Sequence, residues 1–254
     1  MHIIPLPAFR DNYIWLVHDD AHAIVVDPGD AAPVEAWLAA HTSIRLSAIL
    51  VTHHHPDHVG GIPALLARHP VPVYGPAAEN IAAVSDPLAD GDTVHLSAPP
   101  IAFEVMAIPG HTAGHIAYHA PGILFCGDTL FSAGCGRLFE GTPVQMAGSL
   151  ERLAALPDDT RVYCTHEYTL SNLAFARAAE PVNPARDAYA AHCEAQRAAG
   201  EPTLPSTIGR EKVVNPFLRC EQPGVIETVR ARTGERPADR VACLAALRAW
   251  KDVF

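Results

Sequence analysis

Thr52-His53-His54-His55-Pro56-Asp57-His58 follows directly on the apolar run Ala48-Ile49-Leu50-Val51. His53, His55, Asp57 and His58 are metal-competent side chains crowded into six residues. In an extended segment His53 and His55 point to one side and His54 to the other, and Pro56 then stops the strand and turns the chain into Asp57 and His58. Imidazole and carboxylate suit zinc and other borderline divalent metals, and no thiolate stands nearby to close a structural site. The same grammar recurs further along. Phe103 to Ile108 runs into Pro109-Gly110-His111, Ile123 to Cys126 into Gly127-Asp128, and Val162-Tyr163-Cys164 into Thr165-His166. Each apolar strand delivers one ligand-type residue at its carboxyl end, where sites assemble in α/β sheets, and Gly110 and Gly127 let backbone approach closely. His53, His55, Asp57, His58, His111, Asp128 and His166 exceed the needs of one tetrahedral ion and fit two that share a carboxylate.

Outward from these strand ends, the chain up to about Cys164 alternates short β-branched runs with Gly, Pro and Asp punctuation, the pattern of many short strands. Helices interleave. One is expected from Pro33 with Asp30 as cap, and another from Thr142-Pro143 with Met146, Leu150 and Leu153 inward. Beyond His166 alanine, arginine and glutamate dominate between prolines. Helices are therefore expected at 169–178, from Pro184 behind the Asn183 cap to Ala199-Gly200, and from Pro237 onward. The expectation is an α/β domain over 1–165 and an all-α domain over 166–254, packed directly together because no long linker divides them.

Composition narrows the function. The chain has 254 residues, 49% hydrophobic and 18% charged, which is globular. With 18 basic and 28 acidic residues the net charge is −10, so nucleic acid is not expected as a partner. The start lacks a basic region followed by an apolar one, and no apolar run is long enough for a membrane span. Six well-separated cysteines without a C-x-x-C fit reduced thiols in a cytoplasmic protein. Fifteen histidines stand out against 18 lysines plus arginines.

The H-x-H-x-D-H spacing of His53 to His58, with the later His111, Asp128 and His166, resembles the metallo-β-lactamase superfamily. Within it the chain is similar to the glyoxalase II (hydroxyacylglutathione hydrolase) family. That likeness rests on Gly110-His111-Thr112-Ala113-Gly114-His115, on Gly127-Asp128-Thr129-Leu130-Phe131 through Gly134-Cys135-Gly136-Arg137 to Glu140-Gly141, on Thr165-His166-Glu167-Tyr168-Thr169 with Asn172-Leu173, and on Asn215-Pro216-Phe217-Leu218-Arg219. It implies a four-layer αββα sandwich with a C-terminal all-α domain. It also implies one metal on His53, His55 and His111, a second on Asp57, His58 and His166, and Asp128 bridging, with Asp57 and Asp128 as the carboxylates of the catalytic centre. Zinc is the metal expected, with iron or manganese accepted by the same ligands. The implied reaction is hydrolysis of S-D-lactoylglutathione to D-lactate and glutathione, as in methylglyoxal detoxification, by a monomer. Two cations sharing a water would bring its pKa from 15.7 toward roughly 7 and make hydroxide available. Arg137, Tyr168, Arg248 and Lys251 would receive the glutathione carboxylate. Some members carry Lys and Tyr where this chain has Arg137 and Phe139; arginine still pairs with a carboxylate, while Phe139 lacks the hydroxyl.

Plainer readings stand beside these. His54, His115 and His119 are expected off the metals, and Asp27 reads either as a turn residue or as one that orients a ligand. Arg248 and Lys251 share a helical face that could simply be solvated. A persulfide dioxygenase, a lactone or lactam hydrolase and a non-enzymatic metal protein are the competing functions; the helical C-terminal part and the seven-ligand set argue against the first two, and the cysteine-free site against the last.

Overall fold

A computed structural model describes residues 1–254, which divide into two compact units, 1–107 with 113–127 and 108–112 with 128–254. In the first unit β1 (His2–Ala8), β2 (Asn12–His18), β3 (His22–Val26), β4 (Arg45–Leu50), β5 (Val73–Pro76) and β6 (Asp86–Leu88) form a sheet in that order. Its first two pairings are antiparallel and the rest parallel. The switch falls where α1 (Ala31–Ala40) crosses from β3 to β4, as a parallel pair requires. Asp30 caps α1 by accepting from Ala32 N at 2.9 Å. Val34 and Leu38 of α1 pack with Ile62 and Leu65 of α3 (Ile62–Leu66), which follows the single turn α2 (Pro56–Val59). All four join Leu16, Val25, Ile49 and Val51 in one apolar cluster.

The strands β7 (Thr93–Ser97), β8 (Pro100–Ala107), β9 (Ile116–Ala120) and β10 (Ile123–Gly127) pair antiparallel in the order β10-β9-β8-β7. They stack on the first sheet. Tyr118 of β9 donates its hydroxyl to Val51 O at 2.9 Å and Tyr74 O at 3.1 Å, so its buried polar tip is satisfied while its ring packs edge-on against Phe103. Gly127 ends β10 at φ 46°, and a Cβ there would lie 2.3 Å from Thr52 Oγ1 and 2.8 Å from the His115 ring. Only glycine closes that gap.

The second unit begins with the small hairpin β11 (Leu130–Phe131) and β12 (Gly134–Cys135), then α4 (Pro143–Ala154) and β13 (Arg161–Cys164). Its helices α5 (Thr169–Ala179) and α6 (Pro184–Ala198) precede a two-residue strand, β14 (Ser206–Thr207), which pairs with β13. Next come α7 (Ile208–Val214), α8 (Pro223–Thr233) and α9 (Arg240–Lys251). A capping box between Thr142 and Gln145 opens α4, and Asn183 caps α6.

Two sequence expectations need correction here. The last helix starts at Arg240 rather than Pro237, because Asp239 caps it by accepting from Ala242 N at 2.8 Å. The sequence pattern also missed α7 and α8, and the buried face of α8 consists of only Val225 and Val229.

Two buried charges hold this unit. Arg186 sends Nη1 to Ala176 O at 3.1 Å and to Glu180 O, and Nη2 to Asp187 at 2.7 Å, so the carbonyls closing α5 find their donors in a side chain from α6. Glu211 of α7 accepts from Ala133 N at 2.7 Å, Asn215 Nδ2 at 3.0 Å and the Ser206 hydroxyl. Asn215 in turn donates to Phe131 O and Gly134 O, so α7 clamps the β11–β12 hairpin at Ala133, whose φ is 55°. Burial pushes the Glu211 carboxyl up to about 7. Its raised pKa favours folding below the unfolded value and withdraws that favour as pH climbs toward 7. Glu211→Gln keeps the acceptor for Ala133 and Asn215 and donates to Ser206 instead. The variant is therefore expected to gain stability relative to the parent between pH 5 and 7.5, by on the order of 3 kcal/mol. Parallel pH-dependent denaturation curves for the two proteins would contradict this.

Candidate metal centre

His53 and His55 lie in the extended stretch after β4, and Asp57 and His58 in α2, whose start His55 flanks and whose first position is Pro56. A Cβ on Gly29 would sit 1.8 Å from Asp57 O, so the absence of a side chain there seats α2 against the end of β3. The ligand atoms of His53, His55 and His111 lie within 4.8 Å of one another. The same holds for His53, His58 and Asp128, and for Asp57, His58 and His166. Within these groups His53 Nε2 is 3.0 Å from His55 Nδ1, and Asp128 Oδ2 is 3.5 Å from His111 Nε2 and 3.3 Å from His166 Nε2. His53, His58, His111, Asp128 and His166 are buried, and His55 and Asp57 are half-buried.

Five imidazoles and two carboxylates, with no thiolate, form the donor set of borderline divalent cations. Packing that many polar heads together out of water is unfavourable unless a cation compensates them. The residues therefore fit a dinuclear metal site.

Several partners hold these ligands in place. Asp27 Oδ2 lies 3.1 Å from His58 Nδ1, and its carboxylate accepts from Thr52 N at 2.8 Å and Thr52 Oγ1 at 2.7 Å. Its backbone is left-handed, φ 52°, a strained conformation for an aspartate that these bonds maintain. Asp27 thus stands against a candidate ligand, the placement that the second of its two sequence readings expects. Asn12 Nδ2 donates to Asp57 Oδ2 at 3.0 Å, and His111 Nδ1 is 2.8 Å from Arg137 O. Such contacts fix which ring nitrogen remains for a metal. Sequence reasoning missed Asn12 and Thr52. Only the position of Thr52 just before the histidines hinted at its part.

Other histidines take the plainer roles. His54 Nδ1 is 2.9 Å from Glu79 Oε2, and His115 Nδ1 is 3.0 Å from Ile116 O with its ring stacked on His53 at 4.6 Å. His119 lies 4.0 Å from Glu104.

Tyr168 stacks on His166, ring centroids 4.7 Å apart and nearly parallel, and Phe139 meets the His111 ring edge-on at 5.3 Å. Arg137 and Phe139 are mostly exposed. Arg248 is buried instead of lying on a solvated face. Its Nη1 donates to Cys135 O at 2.7 Å and its guanidinium stacks on Phe217. Lys251 sits 5.3 Å from the Phe175 ring, and burial, with Arg248 nearby, pushes its ammonium down to about 8. The sequence reading also passed over Asp252, which binds both arginines, although its i, i+4 spacing from Arg248 was visible.

No helix is long and apolar enough to cross a membrane. Residues 8–166 match the metallo-β-lactamase superfamily and residues 167–254 match the hydroxyacylglutathione hydrolase C-terminus. A protein from Cupriavidus metallidurans named hydroxyacylglutathione hydrolase is 54% identical over 98% of both chains. One of the same name from Chromohalobacter salexigens is 56% identical over 99% of both. Among solved structures, ETHE1 from Myxococcus xanthus is similar with a TM-score of 0.67 and 26% identity, covering 99% of this chain and 100% of that one. TTHA1623 in a di-iron-bound form has a TM-score of 0.59 and 27% identity over 85% of this chain and 100% of its own. With αββα architecture, a helical C-terminal part and likeness along its full length, the chain belongs to the hydroxyacylglutathione hydrolase family of the metallo-β-lactamase superfamily.

Proposed function

We propose that the protein hydrolyses 2-hydroxyacyl thioesters of glutathione, S-D-lactoylglutathione among them, to the hydroxy acid and glutathione, in the cytoplasm and as a monomer, and so serves methylglyoxal detoxification. The observation that carries this is the 54–56% identity, over nearly all of both chains, to proteins named for that activity. In this reading residues 1–165 carry the chemistry, with His166 added, and 166–254 the substrate recognition, with Arg137 and Phe139 added. His53, His55 and His111 would hold one divalent ion and Asp57, His58 and His166 another, with Asp128 shared. Zinc is the ion proposed; iron or manganese would suit the same donors. Bound there, two such ions would acidify a water and polarise the thioester carbonyl.

The chain's own residues do the rest. Asp27 holds His58 by Nδ1, Arg137 O takes Nδ1 of His111, and Asn12 occupies one lobe of the Asp57 carboxylate. These contacts would leave Nε2 as the donor atom at His58 and at His111, and ligands held beforehand spare reorganisation during the reaction. No general acid is required for the leaving group, since a thiol near pKa 8.5 departs readily as thiolate. Tyr168, Phe139, Arg137, Arg248 and Lys251 are the proposed contacts for the glutathione moiety.

The test is steady-state hydrolysis of S-D-lactoylglutathione with release of free thiol. Lys251→Ala is expected to raise KM about 10- to 100-fold, the loss of one charge-assisted hydrogen bond, with kcat and metal content near the parent. Lys251 carries its charge below about pH 8, so the parent's KM should climb as pH passes 8 while the variant's stays flat. No thiol release, or comparable turnover of a β-lactam, would overturn the activity, and an unchanged KM would remove Lys251 from the site.

A further inference from the structure

Three N–H donors from two guanidiniums converge on one oxygen. Asp252 Oδ1 accepts from Arg137 Nε at 3.2 Å, from Arg248 Nε at 3.1 Å and from Arg248 Nη2 at 2.9 Å. With Lys251 beside them, three cationic side chains face this single carboxylate, and the excess positive charge contributes to the lowered Lys251 pKa. We propose that Asp252 is an internal stand-in for the substrate's carboxylate, seated on Arg137 and Arg248 in the free protein and displaced when an anionic glutathione derivative binds. The inference rests on the reading that these arginines receive the glutathione moiety, and it adds the residue that sets how tightly and how selectively they do so.

The two arginines are held very differently. Arg248 is buried, with its Nη1 fixed by Cys135 O at 2.7 Å and its guanidinium carbon over the Phe217 ring at 5.4 Å, so it stays in place whether or not Asp252 remains. Arg137 is 54% exposed and Asp252 33% exposed, so water reaches their contact and such a pair is weakly held. Asp252 also stands at the C-cap of α9, where the helix dipole disfavours a negative charge. It is kept there by the same guanidiniums that an incoming carboxylate would engage with equivalent geometry. A fork held ready by a displaceable internal anion is preorganised, and the stand-in weakens every anionic ligand by the strength of the contact it must give up. A ligand without a carboxylate does not compete for the fork and gains nothing when the stand-in is removed.

The experiment measures binding of a non-hydrolysable S-alkylglutathione, and of its derivative with both carboxylates amidated, by calorimetry to the metal-loaded protein. Asp252→Asn keeps the shape and removes the charge. It is expected to tighten the S-alkylglutathione about five- to tenfold and leave the amidated probe unchanged, while Arg137→Ala weakens the former. Unchanged or weaker binding in Asp252→Asn, with Arg137→Ala still weakening it, overturns the stand-in and makes Asp252 a positioning residue for the arginines. If Arg137→Ala leaves binding unchanged, the reading of the subsite fails and the stand-in with it. Equal tightening of both probes also overturns the proposal, because competition for a carboxylate site cannot produce it. Asp252→Ala gives the same comparison should the asparagine variant not fold.

Discussion

Asp128→Asn is expected to leave the chain folded, to lower bound metal from two ions per chain toward one, and to depress thioester hydrolysis well beyond the roughly 10- to 100-fold typical of losing an outer partner of a metal ligand. The Oδ2 of Asp128 stands between His111 and His166, at 3.5 and 3.3 Å from their Nε2 atoms, and its ligand atom also groups with those of His53 and His58. The amide preserves the size of the side chain but removes the negative charge that two neighbouring cations would share. Elemental analysis alongside a melting curve separates the effects: near-normal stability of the apo form with halved metal content and lost activity is the expected pattern. Two ions retained at full activity would remove Asp128 from the bridging position.

The second large effect concerns folding. Arg186→Ala deprives the carbonyls of Glu180 and Pro181 of the guanidinium donor, takes a second donor from Ala176 O, which keeps Glu180 N at 2.9 Å, and removes a side chain that is 1% exposed. Buried acceptors left unmade cost about 1–3 kcal/mol each, and the vacated stem adds a cavity. A loss of about 3–5 kcal/mol is expected, lowering Tm by roughly 6–20 °C at about 2–4 °C per kcal/mol for a chain near this size. Thermal unfolding of the two proteins under one metal condition checks it. A shift of less than about 3 °C would mean that water replaces the guanidinium at all three carbonyls.

These predictions also mark what the sequence could and could not reveal. The candidate ligand positions stood out because metal chemistry admits few residue types, and the type recurs at successive strand ends. Caps at Asp30, Thr142 and Asn183 were legible for a similar reason, since a short acceptor before a proline or apolar helix start has a local meaning. Asn12 carries no such mark; it meets Asp57, 45 residues away, only after the first sheet has formed. Charged residues are read from sequence as surface, so neither Arg186 nor Glu211 showed itself as an internal fastener. The burial of Arg248 was hidden for the same reason, because it depends on Cys135 O and Phe217 arriving from distant segments. The helix α8 escaped because two buried valines four residues apart, among arginines and threonines, give almost no periodic signal.

All six cysteines are buried and none forms a disulfide. Under the proposed thioester hydrolysis a thiol is released at each turnover, and the protein's own sulfurs would be captured by thiol–disulfide exchange if they could be reached. Reach, rather than ionisation alone, protects them. Burial raises the thiols of Cys135 and Cys193, and Cys243, whose pKa a hydrogen bond from Cys220 lowers, is fully enclosed. Thiolate character and access are both needed for exchange. The six sulfurs therefore act as silent witnesses of the native state, which an alkylating reagent would mark only in molecules that have opened.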